Sequence, residues 1–114
     1  MNIKNMHDAA QQAANLMRAL SSENRLMLLC QLVDGEKSVG RLAQLLDIQQ
    51  AAVSQQLALL RRKGLVVPRR DGQTIYYSLS GDAARRVILL LYELYCAPQS
   101  DEAGLPLVTE DEVL

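Results

Sequence analysis

Hydrophobic positions along the chain recur mostly at helical spacing. Ala9, Ala13, Leu16, Met17 and Leu20 form one apolar stripe, with Asp8 placed to cap the helix and Ser21 near its end. Ser22 is placed as the N-cap of a second helix, whose run from Leu26 to Leu29 is apolar almost all round and is expected deep in the core. Gly35 stops it. A short third helix, capped by Ser38, runs through Val39, Leu42, Ala43, Leu45 and Leu46 to Asp47, and a tight turn follows over Asp47 to Gln49. The fourth helix, Gln50 to Lys63, places Val53, Leu57 and Leu60 on one side at i, i+4 and i+7, with Gly64 as its C-terminal stop. At about 100° per residue, Ala51, Ser54, Gln55, Ala58 and Arg62 point away from that stripe, with Arg61 at its border.

The period then changes. Two β-prone runs, Leu65 to Arg70 and Gln73 to Leu79, flank Asp71-Gly72, which predicts a hairpin with a two-residue turn. Pro68 has no amide donor, so its strand belongs at an edge. A last helix, Asp82 to Ala97, carries Val87, Ile88, Leu90, Leu91, Leu94 and Tyr95, a wider apolar surface than one core stripe requires. The order α-α-α-α-β-β-α, mainly α with a small β-hairpin, is that of a winged helix-turn-helix. One domain over residues 1–97 is expected, followed by an acidic, flexible tail over 98–114.

Composition agrees with one helical domain. At 114 residues and 49% hydrophobic, with no Trp or Phe, the chain has the size and balance of a single packed unit. The N-terminus lacks a secretory signal pattern, and the longest apolar run, Val87 to Leu91, is too short for a bilayer, so a cytoplasmic protein with no membrane contact is expected. The net charge of −1 hides an uneven distribution. Pro98 to Leu114 holds five acidic and no basic side chains, leaving 12 basic against eight acidic residues in the rest. Arg61, Arg62, Lys63, Arg69 and Arg70 fall within ten residues of one another.

Within this architecture the fourth helix is the one that enters a major groove of double-stranded DNA. Gln49, Gln50, Ser54 and Gln55, near its N-terminus, are candidates to read base edges, Gln pairing well with adenine. Arg61, Arg62, Arg69 and Arg70 suit phosphates, as do the backbone amides of the wing tip at Asp71 to Gln73. Taken singly, each of these residues also fits an ordinary solvated face; their combination on this framework favours DNA.

The segments AlaAlaValSerGlnGlnLeuAlaLeuLeuArgArgLysGlyLeuVal and ArgArgAspGlyGlnThrIleTyrTyrSerLeu strongly resemble the ArsR/SmtB family of bacterial repressors, over about residues 8 to 97. The resemblance implies a homodimer formed through the first and last helices and release from the operator on binding an inducer. Metal-sensing members carry a Cys-x-Cys type motif at the helix-turn-helix or Asp/His ligands on the last helix. Neither occurs here, and His7 is the only histidine, so neither metal nor cofactor is expected.

The chain has two cysteines, Cys30 on the second helix and Cys96 on the last. The pair resembles the dithiol of the persulfide-sensing branch, the SqrR and BigR type, which implies that persulfide or polysulfide crosslinks Cys30 and Cys96 and lowers DNA affinity. The residues alone leave open a buried, merely packing Cys30, a general sensor in which peroxide forms a plain disulfide, and a regulator with another inducer. Arg25 and Arg86 are candidates to polarise a thiol, and Tyr92 and Tyr95 to wall a sulfur pocket. An enzyme is not expected: thiol-disulfide exchange lacks its Cys-x-x-Cys motif and βαβ pattern. A winged helix that binds protein instead of DNA is the remaining alternative.

Overall fold

The first helix, α1 (Ile3–Leu20), starts five residues before the Asp8 cap expected from the sequence. Asn2 is the cap: its side-chain oxygen accepts a hydrogen bond from the Asn5 amide at 2.8 Å, which satisfies one of the donors a helix start leaves open. The computed structural model describes the backbone of residues 2–96 and the side chains of residues 2–95; the tail expected over 98–114 lies outside them. The stripe on α1 is buried only at its C-terminal end, where Ala19 and Leu20 enter the core and Leu16 packs beside them. Arg25 closes this helix by donating from Nε to the Ala19 carbonyl at 2.7 Å.

Helix α2 (Glu23–Gln31) has the expected Ser22 cap, which accepts from the Arg25 amide at 3.4 Å. Its apolar run is not uniformly deep: Leu28 and Leu29 are fully buried, Leu26 is half-buried and Met27 is exposed. Helix α3 (Val39–Leu46) is capped by Ser38, whose hydroxyl accepts from the Arg41 amide at 3.1 Å. The turn after it rests on Asp47, the one non-glycine with positive φ (58°) among the described residues. Asp tolerates this left-handed conformation better than most side chains do, and it lets the chain reverse within three residues into α4 (Gln50–Arg62). On α4, Val53, Leu57 and Leu60 are fully buried and lock the helix onto α2 and α3.

The chain next forms a strand pair, β2 (Val66–Asp71) and β3 (Thr74–Leu79), joined through Gly72 and Gln73. The turn falls one residue later than Asp71-Gly72, because Asp71 is still paired with Thr74. Gly72 has φ +66° and Gln73 does not have a positive φ, the combination of a II′ turn, which favours glycine at its first central position. A strand not expected from the sequence, β1 (Lys37–Ser38), pairs antiparallel with β3, giving the order β1-β3-β2. Pro68 therefore lies on an edge strand, where a missing donor is tolerated. Leu65, Val66 and Leu79 bury the base of the hairpin in the core. Helix α5 (Asp82–Leu91) follows, anchored by Ala84 and Ile88, and it continues not as regular helix but as a π-helical turn, Tyr92–Cys96. Ala97, the expected last helical residue, lies outside the described residues.

The short segment leading into β1 is held at both ends by ion pairs. Lys37 Nζ donates to the Gln31 carbonyl at the end of α2 at 2.5 Å and to Asp34 Oδ1 at 2.7 Å. Glu36 receives Arg69 of β2 in a two-point contact, Nε to Oε1 at 3.0 Å and Nη2 to Oε2 at 2.9 Å. The hydrogen bond from Arg69 holds the Glu36 carboxyl below its ordinary range, as the hydrogen bond and charge of Lys37 do for Asp34.

Two outcomes are expected. Leu57→Ala, which empties a fully buried site, lowers stability by about 2–5 kcal/mol in urea unfolding. Glu36, whose native value is depressed, stabilises the fold above its unfolded value and loses that contribution as pH falls through the native one. In a carboxyl-carbon NMR titration its midpoint therefore lies below the ordinary glutamate range, and Arg69→Ala moves it up.

Candidate nucleic-acid interface and thiol cavity

Burial of Val53, Leu57 and Leu60 forces the opposite side of α4 outward. Ser54 and Gln55 are exposed there, interleaved with exposed Ala51, Ala52 and Ala58, so polar groups project from a surface with little side-chain bulk; Gln49 and Gln50, which helical phase puts on the stripe side, are exposed because they stand at the start of the helix. Gln50 leans toward α3: its Nε2 lies 3.6 Å from the position a β-carbon on Gly40 would take. Arg61 and Arg62 are exposed in the last turn of α4, about 17–18 Å along the helix from Gln50 at 1.5 Å per residue. The four polar side chains thus belong to the N-cap and first two turns of α4 and the two arginines to its last turn.

The wing separates its two arginines. Successive residues of a strand face opposite sides of the sheet, so Arg69 and Arg70 diverge. Arg69 is tied to Glu36, and its guanidinium carbon lies 4.8 Å from the centre of the Tyr76 ring. Arg70 is exposed and makes no ion pair among the described residues. From the sequence, Glu36 and Lys37 carried no expected role, and Tyr76 only that of a strand residue. A two-residue strand has no alternation to detect, and an ion pair across 33 positions leaves no local signal.

Cys30 is half-buried on α2 and lines a mainly apolar cavity of about 320 Å³. Leu26 and Met27 of α2, Leu46 of α3, and Leu91, Tyr92 and Tyr95 of the final helix complete most of its wall. Tyr92 and Tyr95, expected to wall a sulfur pocket, line this cavity together with Cys30 from a π-helical turn. Cys96 closes the π-helical turn, and its side chain lies outside the described residues. Arg25 and Arg86 do not line the cavity: Arg25 holds the carbonyl end of α1, and Arg86 lies 3.7 Å from Asp82. Among the described residues no three His, Cys, Asp or Glu side chains converge as metal ligands would.

Met27 and Tyr95 are also exposed, so the cavity opens onto a larger apolar surface. Ile3, Met6 and Met17 of α1, Leu90 of α5 and Leu94 of the π-helical turn are uncovered as well. Among the described residues no helix is long and apolar enough to cross a membrane.

The arrangement has close counterparts. Residues 22–67 match the model of the arsR family of bacterial regulatory proteins. The transcriptional activator HlyU of Vibrio cholerae is 45% identical over 96 residues, which cover 84% of this chain and 89% of that protein. The biofilm growth-associated repressor of Agrobacterium fabrum is also 45% identical over 96 residues, 84% of this chain and 82% of that one. The solved structure of reduced HlyU from Vibrio cholerae superposes with a TM-score of 0.80 at 43% identity, covering 83% of this chain and 100% of that chain. The chain belongs to the ArsR family and is a winged-helix regulator of transcription.

Proposed function

We propose that the protein is a cytoplasmic, homodimeric repressor, not an enzyme, that occupies double-stranded operator DNA and leaves it when persulfide or polysulfide crosslinks Cys30 to Cys96. The observation that carries the DNA half is the N-terminal part of α4, where Gln49, Gln50, Ser54 and Gln55 stand exposed on a helix that its fully buried Val53, Leu57 and Leu60 hold in place. In this reading those four side chains meet base edges, and Arg61, Arg62 and Arg70 meet phosphates. The relative from Agrobacterium named as a repressor supports the direction of control.

The sensing half rests on Cys30 lining an apolar cavity against the final helix, which Cys96 ends. That a relative's structure is designated reduced supports redox state as a variable. One thiolate attacks the outer sulfur of a persulfide, the carrier leaves as a thiolate, and the cysteine becomes Cys–S–SH. Attack by the second thiol then expels hydrogen sulfide and leaves a disulfide; if both cysteines are first persulfidated, loss of one hydrogen sulfide leaves a trisulfide. The apolar cavity favours neutral sulfur species over charged carriers. Either crosslink ties α2 to the last helix, and the DNA-binding surface shifts through the core they share.

Mobility shifts with reduced, persulfide-treated and peroxide-treated protein test this. Persulfide is expected to release the duplex from wild type but not from Cys30→Ser, with intact mass showing added sulfur in part of the released protein. Unchanged binding after persulfide, or normal release by Cys30→Ser, removes the sensing half. Release by peroxide alone, with no added sulfur, makes the protein a general thiol sensor.

For the dimer, the uncovered apolar residues of α1 and the final helix are the surface two copies would share. Leu94→Glu puts a charge into it and is expected to move the mass in sedimentation equilibrium toward that of the 12.6 kDa monomer. An unchanged mass would place the interface elsewhere.

A further inference from the structure

A hairpin by itself is a marginal structure in water, and this one is buried only at its base. Its outer half, from Arg69 to Thr74, is exposed. Among the described residues, the side-chain hydrogen bonds that join the hairpin to the rest of the chain are those of Arg69 to Glu36. Arg69 lies on β2, Glu36 one residue before β1, and β3 runs between them. Two strand spacings separate the ends, about 10 Å, a span that needs a long side chain. Tyr76, paired with Arg69 in the strand register and with Ser38 on the other side, supplies the surface the guanidinium crosses at 4.8 Å. The far end of the tether is anchored too, because Lys37, next to Glu36, is bonded to the last carbonyl of α2.

We infer that Arg69 is a positioning residue and not a phosphate ligand: through Glu36 and Tyr76 it fixes the angle of the wing, so that Arg70 and α4 meet the same duplex. Its positive charge is answered by Glu36, and one face of its guanidinium is covered by a ring, whereas a phosphate needs both charge and donors turned outward. The neighbouring Arg70 has the opposite attributes, being exposed on the other side of the strand without an ion pair among the described residues. Lys cannot replace Arg69 in this role, since it lacks both the two-point fork and the flat cation that stacks. The inference rests on the DNA-binding reading given above.

The test is a salt titration of binding to a duplex selected by this protein from a randomised pool. Removing one phosphate ligand from the protein lowers the slope of log affinity against log salt by about 0.9. Arg70→Ala is expected to show that reduction. Arg69→Ala and Glu36→Gln are each expected to weaken binding about two- to fivefold with the slope unchanged, and the double variant to be no weaker than either single one. Glu36→Gln is the decisive variant, because removing a negative charge from a DNA-facing side would otherwise tighten binding. Arg69→Lys is expected to remain as weak as Arg69→Ala. Without DNA, amide exchange over Thr74 to Tyr77 is expected to quicken in Arg69→Ala and Glu36→Gln while the protection of α4 is retained.

A slope reduced by about 0.9 in Arg69→Ala, tighter binding by Glu36→Gln, or full rescue by Arg69→Lys would make Arg69 a phosphate ligand and overturn the inference while leaving DNA binding intact. Wild-type protein that binds no duplex, or binds without salt dependence, overturns the DNA reading and this inference with it.

Discussion

Val53, Leu57 and Leu60 are sealed from solvent, and their seating against α2 and α3 fixes the rotation of α4 about its own axis. A helix buried along one stripe has no freedom to choose what it shows on the other. Once that stripe is in place, Ser54 and Gln55 must face outward, Gln50 is left exposed at the helix start, and Arg61 and Arg62 stand at the far end. The rest of the domain serves the same constraint. Helix α3, capped at Ser38 and reversed at Asp47, sets where α4 begins, and Leu65, Val66 and Leu79 root the hairpin in the core that α4 also enters.

The core is nearly all aliphatic and contains no buried charged or polar residue among those described. Apolar burial is strong but non-directional, so it holds elements together without specifying the angle of a projecting hairpin. Directional contacts take over at the periphery. Ser22 and Ser38 start their helices, Arg25 closes α1, Lys37 closes α2, and Arg69 spans the sheet to Glu36. Each is exposed or half-buried and modest in strength, and each sets an orientation. The apolar residues of α1 and the final helix that lie outside this core have no such directional contacts among the described residues.

How much of this could be read from the residues depended on whether the information was local. The order of helices, the Ser22 and Ser38 caps, the stop at Gly64 and the existence of the hairpin all follow from patterns within a few positions. Caps within an already polar stretch were harder: Asp8 and Asn2 are equally good cap residues, and the structure starts α1 at Asn2 because Ile3 to His7 have no break in helix propensity. The hairpin turn slipped by one residue because Asp-Gly satisfies a type I′ turn as well as Gly-Gln satisfies II′, and pairing of Asp71 with Thr74 decides between them. The π-helical turn at Tyr92–Cys96 leaves no trace in hydrophobic spacing, since one extra residue per turn only blurs the stripe.

For the candidate site, helical phase turns Ser54 and Gln55 to the exposed face of α4, whereas the cavity that Cys30 lines with Tyr92 and Tyr95 is assembled from α2, α3 and a π-helical turn and has no such signature. The sequence could not rank the arginines. Arg69 and Arg70 are the same residue type in adjacent positions, and composition treats them alike. What distinguishes them is the pleat, which turns one toward a carboxylate 33 positions away and the other toward open solvent. A basic cluster in a sequence is therefore a count of charges, some of which the fold neutralises. In this domain the pairing partner arises beside a strand of two residues, the element with the least sequence signal, and through it a small piece of backbone governs how much of the cluster remains available to a polyanion.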